Sequence, residues 1–230
     1  MNPKALRPLV AEFVGTALFV FLGVGSIVAN AASNNALGAV GISLAHGVGM
    51  AVLITMTMSI SGGHLNPAVS VALWLTQKID GRTLGQYVAA QIIGAVVGAL
   101  FVKVFLPTMA GRVTSLGTPQ LAGTLGLFEG IAIEALLTFF LVSAVFGTAV
   151  SSEAPKVGGF GIGLAIFVGA LVAGPLTGAA MNPARAFGPA LVAWEWHGQA
   201  VYWIGPLLGA TAAGALWKFI LLPRDATNIA

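Results

Sequence analysis

The sequence predicts an all-α integral membrane protein with six transmembrane helices and two shorter re-entrant half-helices, arranged as an inverted internal repeat. Three observations predict this fold. The composition is too apolar for a water-exposed surface, six apolar runs are long enough to cross a bilayer, and Asn-Pro-Ala opens one short apolar run in each half of the chain. We expect a single transmembrane domain over residues 1–230, with the two repeats at approximately 1–108 and 124–222.

The composition excludes most soluble classes of protein. Hydrophobic residues make up 57% of the 230 residues and charged residues only 7%, whereas a soluble domain carries about 25% charged residues. The mean hydropathy is +0.95. The formal net charge of +3 is expected from basic loops at a membrane surface, so no nucleic-acid partner is predicted. Without cysteine, the chain forms no disulfide and no thiol-ligated metal site.

The six long apolar runs are predicted to be the membrane spans, because a span needs roughly 20 apolar residues. They cover approximately 9–29, 37–60, 84–106, 126–150, 158–176 and 200–222. The first run is long enough to span, so it is interpreted as a helix rather than a cleavable signal peptide. Basic residues flanking the runs predict both termini in the cytoplasm. The residues expected inside are Lys4, Arg7, Lys78, Arg82, Lys156, Lys218 and Arg224, against Lys103 and Arg112 outside.

The two half-helices are predicted from the triplets Asn66-Pro67-Ala68 and Asn182-Pro183-Ala184. Asparagine is a good N-cap and proline is favoured at the first helical position, so each triplet indicates a helix start. The apolar runs that follow, 69–75 and 186–194, stop before Gln77-Lys78 and at Glu195. Runs of this length are too short to cross the bilayer and are typical of re-entrant segments.

The two halves of the chain repeat each other. Glu12 and Thr16 in the first run match Glu134 and Thr138 in the fourth, and the third spans carry the glycine pairs 94/98 and 205/209. Three spans per half is an odd number, so the second half inserts in the opposite orientation. The half-helices therefore enter from opposite faces, and their N-termini are expected to meet near the midplane.

Two motifs identify a family. They are Ser-Gly-Gly-His-Leu-Asn-Pro-Ala-Val at 61–69 and Met-Asn-Pro-Ala-Arg-Ala-Phe-Gly-Pro-Ala at 181–190. The chain resembles the major intrinsic protein (aquaporin) family over nearly its whole length. The resemblance implies a homotetramer with one pore per subunit, which conducts water passively and excludes protons and ions. Ammonia and hydrogen peroxide are further candidate solutes.

The asparagines have a physical role in such a pore. Two facing helix N-termini place about half a positive charge each at its centre. There the amides of Asn66 and Asn182 can bind a passing water oxygen and interrupt the hydrogen-bonded chain along which protons would hop. Irregular backbone before each asparagine would supply carbonyl acceptors for water. This carbonyl ladder is expected at Gly62, Gly63, His64, Gly178, Ala179 and Ala180. The alternative is that the asparagines merely cap helices.

Glu12 and Glu134 lie inside predicted spans, where acidic residues are costly and usually functional or paired. Their equivalent positions in the two repeats favour an anchoring role. Each is expected to accept hydrogen bonds from the irregular loop of its own half, as the family's equivalent glutamates do. A proton-carrying or catalytic role is the alternative.

The selectivity filter is assigned through the resemblance. Counting from the asparagines places His46, Ala170, Ala179 and Arg185 at the four filter positions. This set departs from that of strictly water-selective members and resembles the plant vacuolar (tonoplast) branch, with a histidine at the first position and small residues at two others. A histidine packed between helices is the alternative for His46. His64 is expected to anchor its loop.

Further positions favour a water channel over a glycerol channel. The glycerol branch places aspartate directly after the filter arginine, where this chain has Ala186, and Ala190, Tyr202 and Trp203 also match the water type. The alternatives are a broader facilitator for urea or glycerol, and a structural membrane protein with a vestigial pore. Since the sequence shows no nucleophile–base pair, metal cluster or phosphate loop, we expect neither an enzyme nor a cofactor. The expected location is a cell (inner) membrane, with lipid as the surrounding partner.

Overall fold

A computed structural model describes residues 3–155 and 157–223, with side chains from residue 6 onward. The side chain of Lys4, and Lys156 and Arg224 altogether, lie outside the described residues. Within the described part the structure is helical and contains no strand. The α-helices are α1 (Pro3–Ala32), α2 (Gly38–Ser61), α3 (Pro67–Leu75), α4 (Gly81–Phe105), α5 (Thr108–Val113), α6 (Leu127–Val145), α7 (Gly158–Thr177), α8 (Pro183–Ala193) and α9 (Val201–Leu216).

Six helical segments have the length and apolar composition of membrane spans, as predicted. They are Leu6–Ala32, Gly38–Ser61, Gly81–Phe105, Leu127–Val150, Gly158–Thr177 and Val201–Leu221. The third begins three residues earlier than predicted, at Gly81, because the side chain of Asp80 accepts a hydrogen bond from the Thr83 N–H at 2.7 Å and caps the helix. This backbone hydrogen bond also lowers the pKa of Asp80.

The fourth and sixth spans end alike. Each finishes in a π-helical turn, Phe146–Val150 after α6 and Trp217–Leu221 after α9. The Phe146 and Trp217 rings stack with centroids 6.0 Å apart. The sequence did not indicate these turns, nor the short helix α5 in the connection between the halves.

Glycines allow the spans to pack closely within each half. A Cβ atom at Gly94 of α4 would collide with the carbonyl oxygen of Phe13 in α1, and one at Gly209 of α9 would collide with that of Ala135 in α6. These two contacts correspond to each other, because Phe13 and Ala135 each directly follow the buried glutamate of their half, Glu12 and Glu134. Small residues thus bring the first and third membrane spans of each half, α1 with α4 and α6 with α9, into backbone contact.

The half-helices join the two halves. α8 packs against α4 and α3 against α9, so each half-helix contacts the third span of the other half. α3 and α8 also contact each other, and α2 packs on α7. The N-termini of α3 and α8 meet in the interior, where the buried Asn66 and Asn182 each bond to the residue before the other helix's N-cap.

Candidate functional site

Asn66 and Asn182 cap the two half-helices and are almost completely buried. The side-chain oxygen of Asn66 accepts the Ala68 N–H at 2.9 Å. The side-chain oxygen of Asn182 accepts the N–H groups of Ala184 and Arg185 at 3.0 and 3.2 Å. Both asparagines have extended backbone, and the proline after each occupies the first helical position. These bonds orient each amide so that its nitrogen faces away from its own helix.

The two amide nitrogens bond across the repeat boundary, which the sequence did not indicate. Nδ2 of Asn66 donates to the Met181 carbonyl at 2.8 Å, and Nδ2 of Asn182 donates to the Leu65 carbonyl at 2.9 Å. An amide nitrogen carries two hydrogens, so each asparagine retains one N–H beyond this bond. The carbonyls of Leu65 and Met181 can turn toward the opposite half because both residues have left-handed backbone, with φ of 48° and 51°.

Two buried carboxylates hold the loops that lead to the asparagines. Oε1 of Glu12 accepts the Ser61 hydroxyl at 2.6 Å and the His64 N–H at 3.0 Å. Oε2 accepts the Leu65 N–H and the Gln91 amide, both at 2.7 Å. Backbone N–H groups of the irregular loop thereby receive the acceptors that a helix would have supplied.

Glu134 repeats this pattern in the second half. Its Oε1 accepts the Thr177 hydroxyl at 2.7 Å and the Ala180 N–H at 2.9 Å. Its Oε2 accepts the Met181 N–H at 2.8 Å. Both glutamates are fully buried, so the loops are tied to the spans on which the carboxylates lie.

The chain's two tyrosines complete the symmetry. Tyr87 donates its hydroxyl to the Ser61 carbonyl at 2.9 Å, and Tyr202 donates to the Thr177 carbonyl at 2.8 Å. Both carbonyls belong to the last residue of a span before an irregular loop. Tyr87 was not identified from the sequence. The two tyrosines are 202 − 87 = 115 residues apart, close to the 182 − 66 = 116 residues between the two asparagines, and this similarity is the signal that could have paired them.

A cavity of about 400 Å³ lies on one side of the asparagine pair. Gly62, Gly63, His64 and Asn66 line it, together with apolar side chains of several spans. Nδ1 of His64 lies 3.0 Å from the Ser70 hydroxyl, which fixes the ring. We call this the His64 cavity. Three of the six residues expected to form the carbonyl ladder therefore lie in its wall.

A second cavity, of about 470 Å³, is lined by all four expected filter residues, His46, Ala170, Ala179 and Arg185. We call this the Arg185 cavity. Gly178 also lies in its wall. Ala180 is part of a buried cluster with Ala186, Val201 and Tyr202. The structure thus brings the four filter positions together from three separate stretches of the chain.

Hydrogen bonding defines the tautomer of His46. Its Nδ1 lies 2.9 Å from the Ile42 carbonyl, which can only accept, so Nδ1 carries the proton. In the neutral ring, Nε2 is then an acceptor, and it lies 3.4 Å from Nη2 of Arg185. Gly23 gives the imidazole room, since a Cβ there would lie 2.8 Å from its Cδ2 atom.

Arg185 is held from two sides although its side chain is only 1% exposed. In addition to the His46 contact, Nη1 donates to the Gly117 carbonyl at 3.2 Å. Gly117 lies in the connection between the halves, which also contributes Thr118 and Gln120 to the cavity wall. The sequence did not indicate that this connection reaches the Arg185 cavity. Among the described residues, Nε of Arg185 has no hydrogen-bond partner.

In the described part of the chain, no three histidine, cysteine or acidic residues form a group that could bind a metal. The model of the family described as "Major intrinsic protein" matches residues 1–217. The chain belongs to the major intrinsic protein family. Its six spans, two half-helices and buried asparagine pair are thus those of a member of a membrane channel family.

Several major intrinsic proteins resemble the chain over most of its length. A probable aquaporin TIP2-2 of Oryza sativa subsp. japonica is 39% identical, with 100% of this chain and 93% of the relative covered. Aquaporin-4 of Mus musculus is 40% identical, with 93% of this chain and 67% of the relative covered. The solved aquaglyceroporin of Plasmodium falciparum has the same fold, with a TM-score of 0.82 at 23% identity over 94% of this chain and 96% of the other. The family and the fold predicted from the sequence are confirmed.

Proposed function

We propose that this chain is a passive channel for water and small neutral solutes, and that it excludes protons and ions. The observation that carries the proposal is the crossed asparagine pair between the two cavities. Nδ2 of each asparagine donates one of its two hydrogens to a carbonyl of the opposite half, and its second hydrogen stays available. Two such fixed donors suit a water oxygen passing between them.

The pore would run from the His64 cavity, past the asparagines, to the Arg185 cavity. Carbonyls of Gly62, Gly63 and His64 on one side, and of Gly178, Ala179 and Ala180 on the other, would accept hydrogens from single-file water. Glu12 and Glu134 would anchor these loops through the bonds described above. The narrowest part would be the filter formed by His46, Ala170, Ala179 and Arg185.

The filter supports ammonia and hydrogen peroxide as further solutes. Ala170 and Ala179 leave two sides of the filter without a bulky group, while Nε2 of His46 offers an acceptor beside the Arg185 donors. A solute slightly larger than water that can both donate and accept would fit this lining. Urea and glycerol transport is the less favoured alternative, because the buried His46 ring occupies one side of the constriction.

Charge exclusion would have two sources. The N-termini of α3 and α8 both face the asparagine pair and contribute positive potential there. Arg185 adds a full positive charge at the filter. A cation would therefore meet an unfavourable field at two points along the pore.

We further propose a homotetramer in which each subunit has its own pore, and inverted repeats over approximately 1–108 and 124–222 of a single domain. Both termini would be cytoplasmic, in a cell (inner) membrane. On this orientation, the His64 cavity opens to the cytoplasm and the Arg185 cavity to the outside.

Stopped-flow light scattering on proteoliposomes tests the proposed function. Water, ammonia, urea and glycerol permeabilities are measured side by side at equal protein density, with empty liposomes as the control. We expect fast water and ammonia permeation and slow glycerol permeation. Water permeability no higher than that of empty liposomes would instead indicate a structural protein with a vestigial pore.

A further inference from the structure

Two lysines outside the site contact the far ends of the half-helices. Nζ of Lys218, in the π-helical turn after α9, donates to the Leu75 carbonyl at 3.1 Å. Nζ of Lys103, in the last turn of α4, donates to the Val192 carbonyl at 3.4 Å. Leu75 is the last residue of α3, and Val192 lies in the last turn of α8. Each half-helix therefore has an ammonium group at its C-terminal end.

The two contacts are equivalent and crossed. Lys103 and Lys218 are separated by 218 − 103 = 115 residues, the same spacing as that of the two tyrosines. Lys103, in the first half, contacts the half-helix of the second half, and Lys218 contacts that of the first. This crossing matches the packing of α8 on α4 and of α3 on α9. Its presence at both ends of the molecule argues against a chance surface contact.

The contacts have an electrostatic consequence at the centre. The final carbonyls of a helix lack intrahelical partners and carry about half a negative charge, opposite to the N-terminus. α3 and α8 contain 9 and 11 residues, so their two ends are only about 14 and 16 Å apart at 1.5 Å per residue. At that distance the negative end of a short helix weakens the positive potential of its own N-terminus. A cation at the C-terminal end offsets this weakening.

We propose that Lys103 and Lys218 are positioning residues of the charge barrier, each neutralising the C-terminal end of the opposite repeat's half-helix so that the positive field at the asparagine pair stays strong. The inference rests on the proposed function of a channel that excludes ions. It adds two specificity-determining residues that lie at the membrane surfaces, away from the water path. Replacing them should change the permeability to charged species and leave the water permeability unchanged, because water carries no net charge.

The test uses full-length channels in liposomes loaded with a pH-sensitive dye. Each lysine is changed to Met, to Gln and to Arg, in the native chain and in the Arg185→Val background, where one barrier is already removed. We expect Met and Gln to raise proton leakage roughly two- to five-fold per lysine, the size expected for a unit charge about 15 Å from the permeating proton at an effective dielectric constant of about 20, partly screened by salt. Arg, which keeps the charge, should restore native leakage. Water permeability should stay within about two-fold of that of the parent channel.

Two exposed arginines are matched controls. Arg82 lies at the start of α4 and Arg112 in α5, and both side chains are exposed. Among the described residues, neither donates a hydrogen bond to a half-helix carbonyl as Lys103 and Lys218 do. Arg82→Gln and Arg112→Gln also remove one surface cation each and should leave leakage unchanged. An equal rise in these controls would show a general surface-charge effect and overturn the proposal.

Two other results would also overturn it. One is unchanged leakage in the Met variants in both backgrounds. The other is a fall of water permeability and melting temperature in parallel with the leak, not restored by Arg, which indicates a purely structural role. The proposed function is judged separately, from the water permeability of the native channel. If the native channel conducts water but the lysine variants leak protons no faster than it does, only the lysine proposal is wrong.

Discussion

The Asn66 amide nitrogen donates to the Met181 carbonyl at 2.8 Å, although the two residues are 115 positions apart in the chain. The reciprocal bond, from Asn182 to the Leu65 carbonyl, is 2.9 Å long. Each asparagine thus has two tasks in the structure, since its oxygen caps a helix and one N–H joins the halves; under the proposed function it has a third, in which the second N–H binds a permeating molecule. An asparagine is suited to all three because its amide combines an acceptor with two donors.

The crossed bonds predict that Asn66→Asp destabilises the protein. A carboxylate can still cap α3 but cannot donate to the Met181 carbonyl, which then faces a negative charge in a buried site. We expect a cost of about 1–3 kcal/mol in unfolding free energy from the lost bond, measured as a lower melting temperature in detergent. The control is Asn34→Asp, at an exposed turn with φ of 55°, which should leave the melting temperature nearly unchanged. Equal stability of the two variants would contradict a structural role for the crossed bond.

The carboxylate anchors predict that Glu134→Gln is also destabilising. The Glu134 carboxylate receives two backbone N–H groups and a hydroxyl, whereas glutamine would turn an NH₂ group toward one of these donors. We expect a loss of about 1–3 kcal/mol together with lower water permeability, because the Ala180–Met181 loop would shift. Glu129→Gln, an exposed change five residues earlier on α6, provides the comparison. If Glu134→Gln has the same melting temperature and water permeability as Glu129→Gln, the loop does not need the carboxylate.

The filter assignment predicts a selective effect of Ala170→His. An imidazole at this position would fill one of the two open sides of the Arg185 cavity. Ammonia permeability should fall several-fold more than water permeability, both measured by stopped flow on the same liposomes. Ala170→Val, which adds less bulk, should give a smaller effect in the same direction. Equal losses for both solutes would mean that this position does not set the size limit.

The buried guanidinium predicts that Arg185→Val permits ion leakage. The change removes a fixed cation while the helix N-termini remain, so proton leakage measured with a pH-sensitive dye should rise above that of the native channel. Adding Asn182→Asp should raise it further by introducing a negative charge. Arg112→Val, at an exposed arginine of α5, is the control and should remain tight. A tight Arg185→Val channel would show that the half-helices and asparagines suffice as the barrier.

The absence of cysteine predicts that mercuric ion leaves the native channel unaffected. Ala179→Cys adds one thiol to the wall of the Arg185 cavity, where the nearby positive charge should favour the reactive thiolate. Water permeability of this variant should fall with mercuric ion and recover with excess thiol. Ser152→Cys, at an exposed loop position, should be labelled without a loss of permeability. A labelled Ala179→Cys channel with full permeability would show that Ala179 does not line the constriction.

Local chemistry is why much of this architecture could be predicted. An apolar run must form a helix to cross a bilayer, since every backbone polar group needs an internal partner. Capping by Asn66 and Asn182 and the pre-set backbone of the following prolines depend only on neighbouring residues, so the starts of α3 and α8 followed directly from the sequence. The corresponding positions of Glu12 and Glu134 indicated a shared role because repeats preserve relative position.

Tertiary structure alone decided what these residues meet. The sequence indicated that the two asparagines would face each other. It did not indicate that each would donate to the carbonyl of the residue that precedes the other asparagine. It did not place the Gly117 carbonyl on Arg185, nor Lys103 and Lys218 at the ends of the opposite half-helices. Partners in such contacts are separated by 68 to 143 positions along the chain, and their distances are set by how whole helices pack. The sequence by itself determined the six spans and the starts of the two half-helices, because those depend on local hydrogen bonding and apolar length. The crossed contacts between the halves arise only when the packed spans bring their loops together.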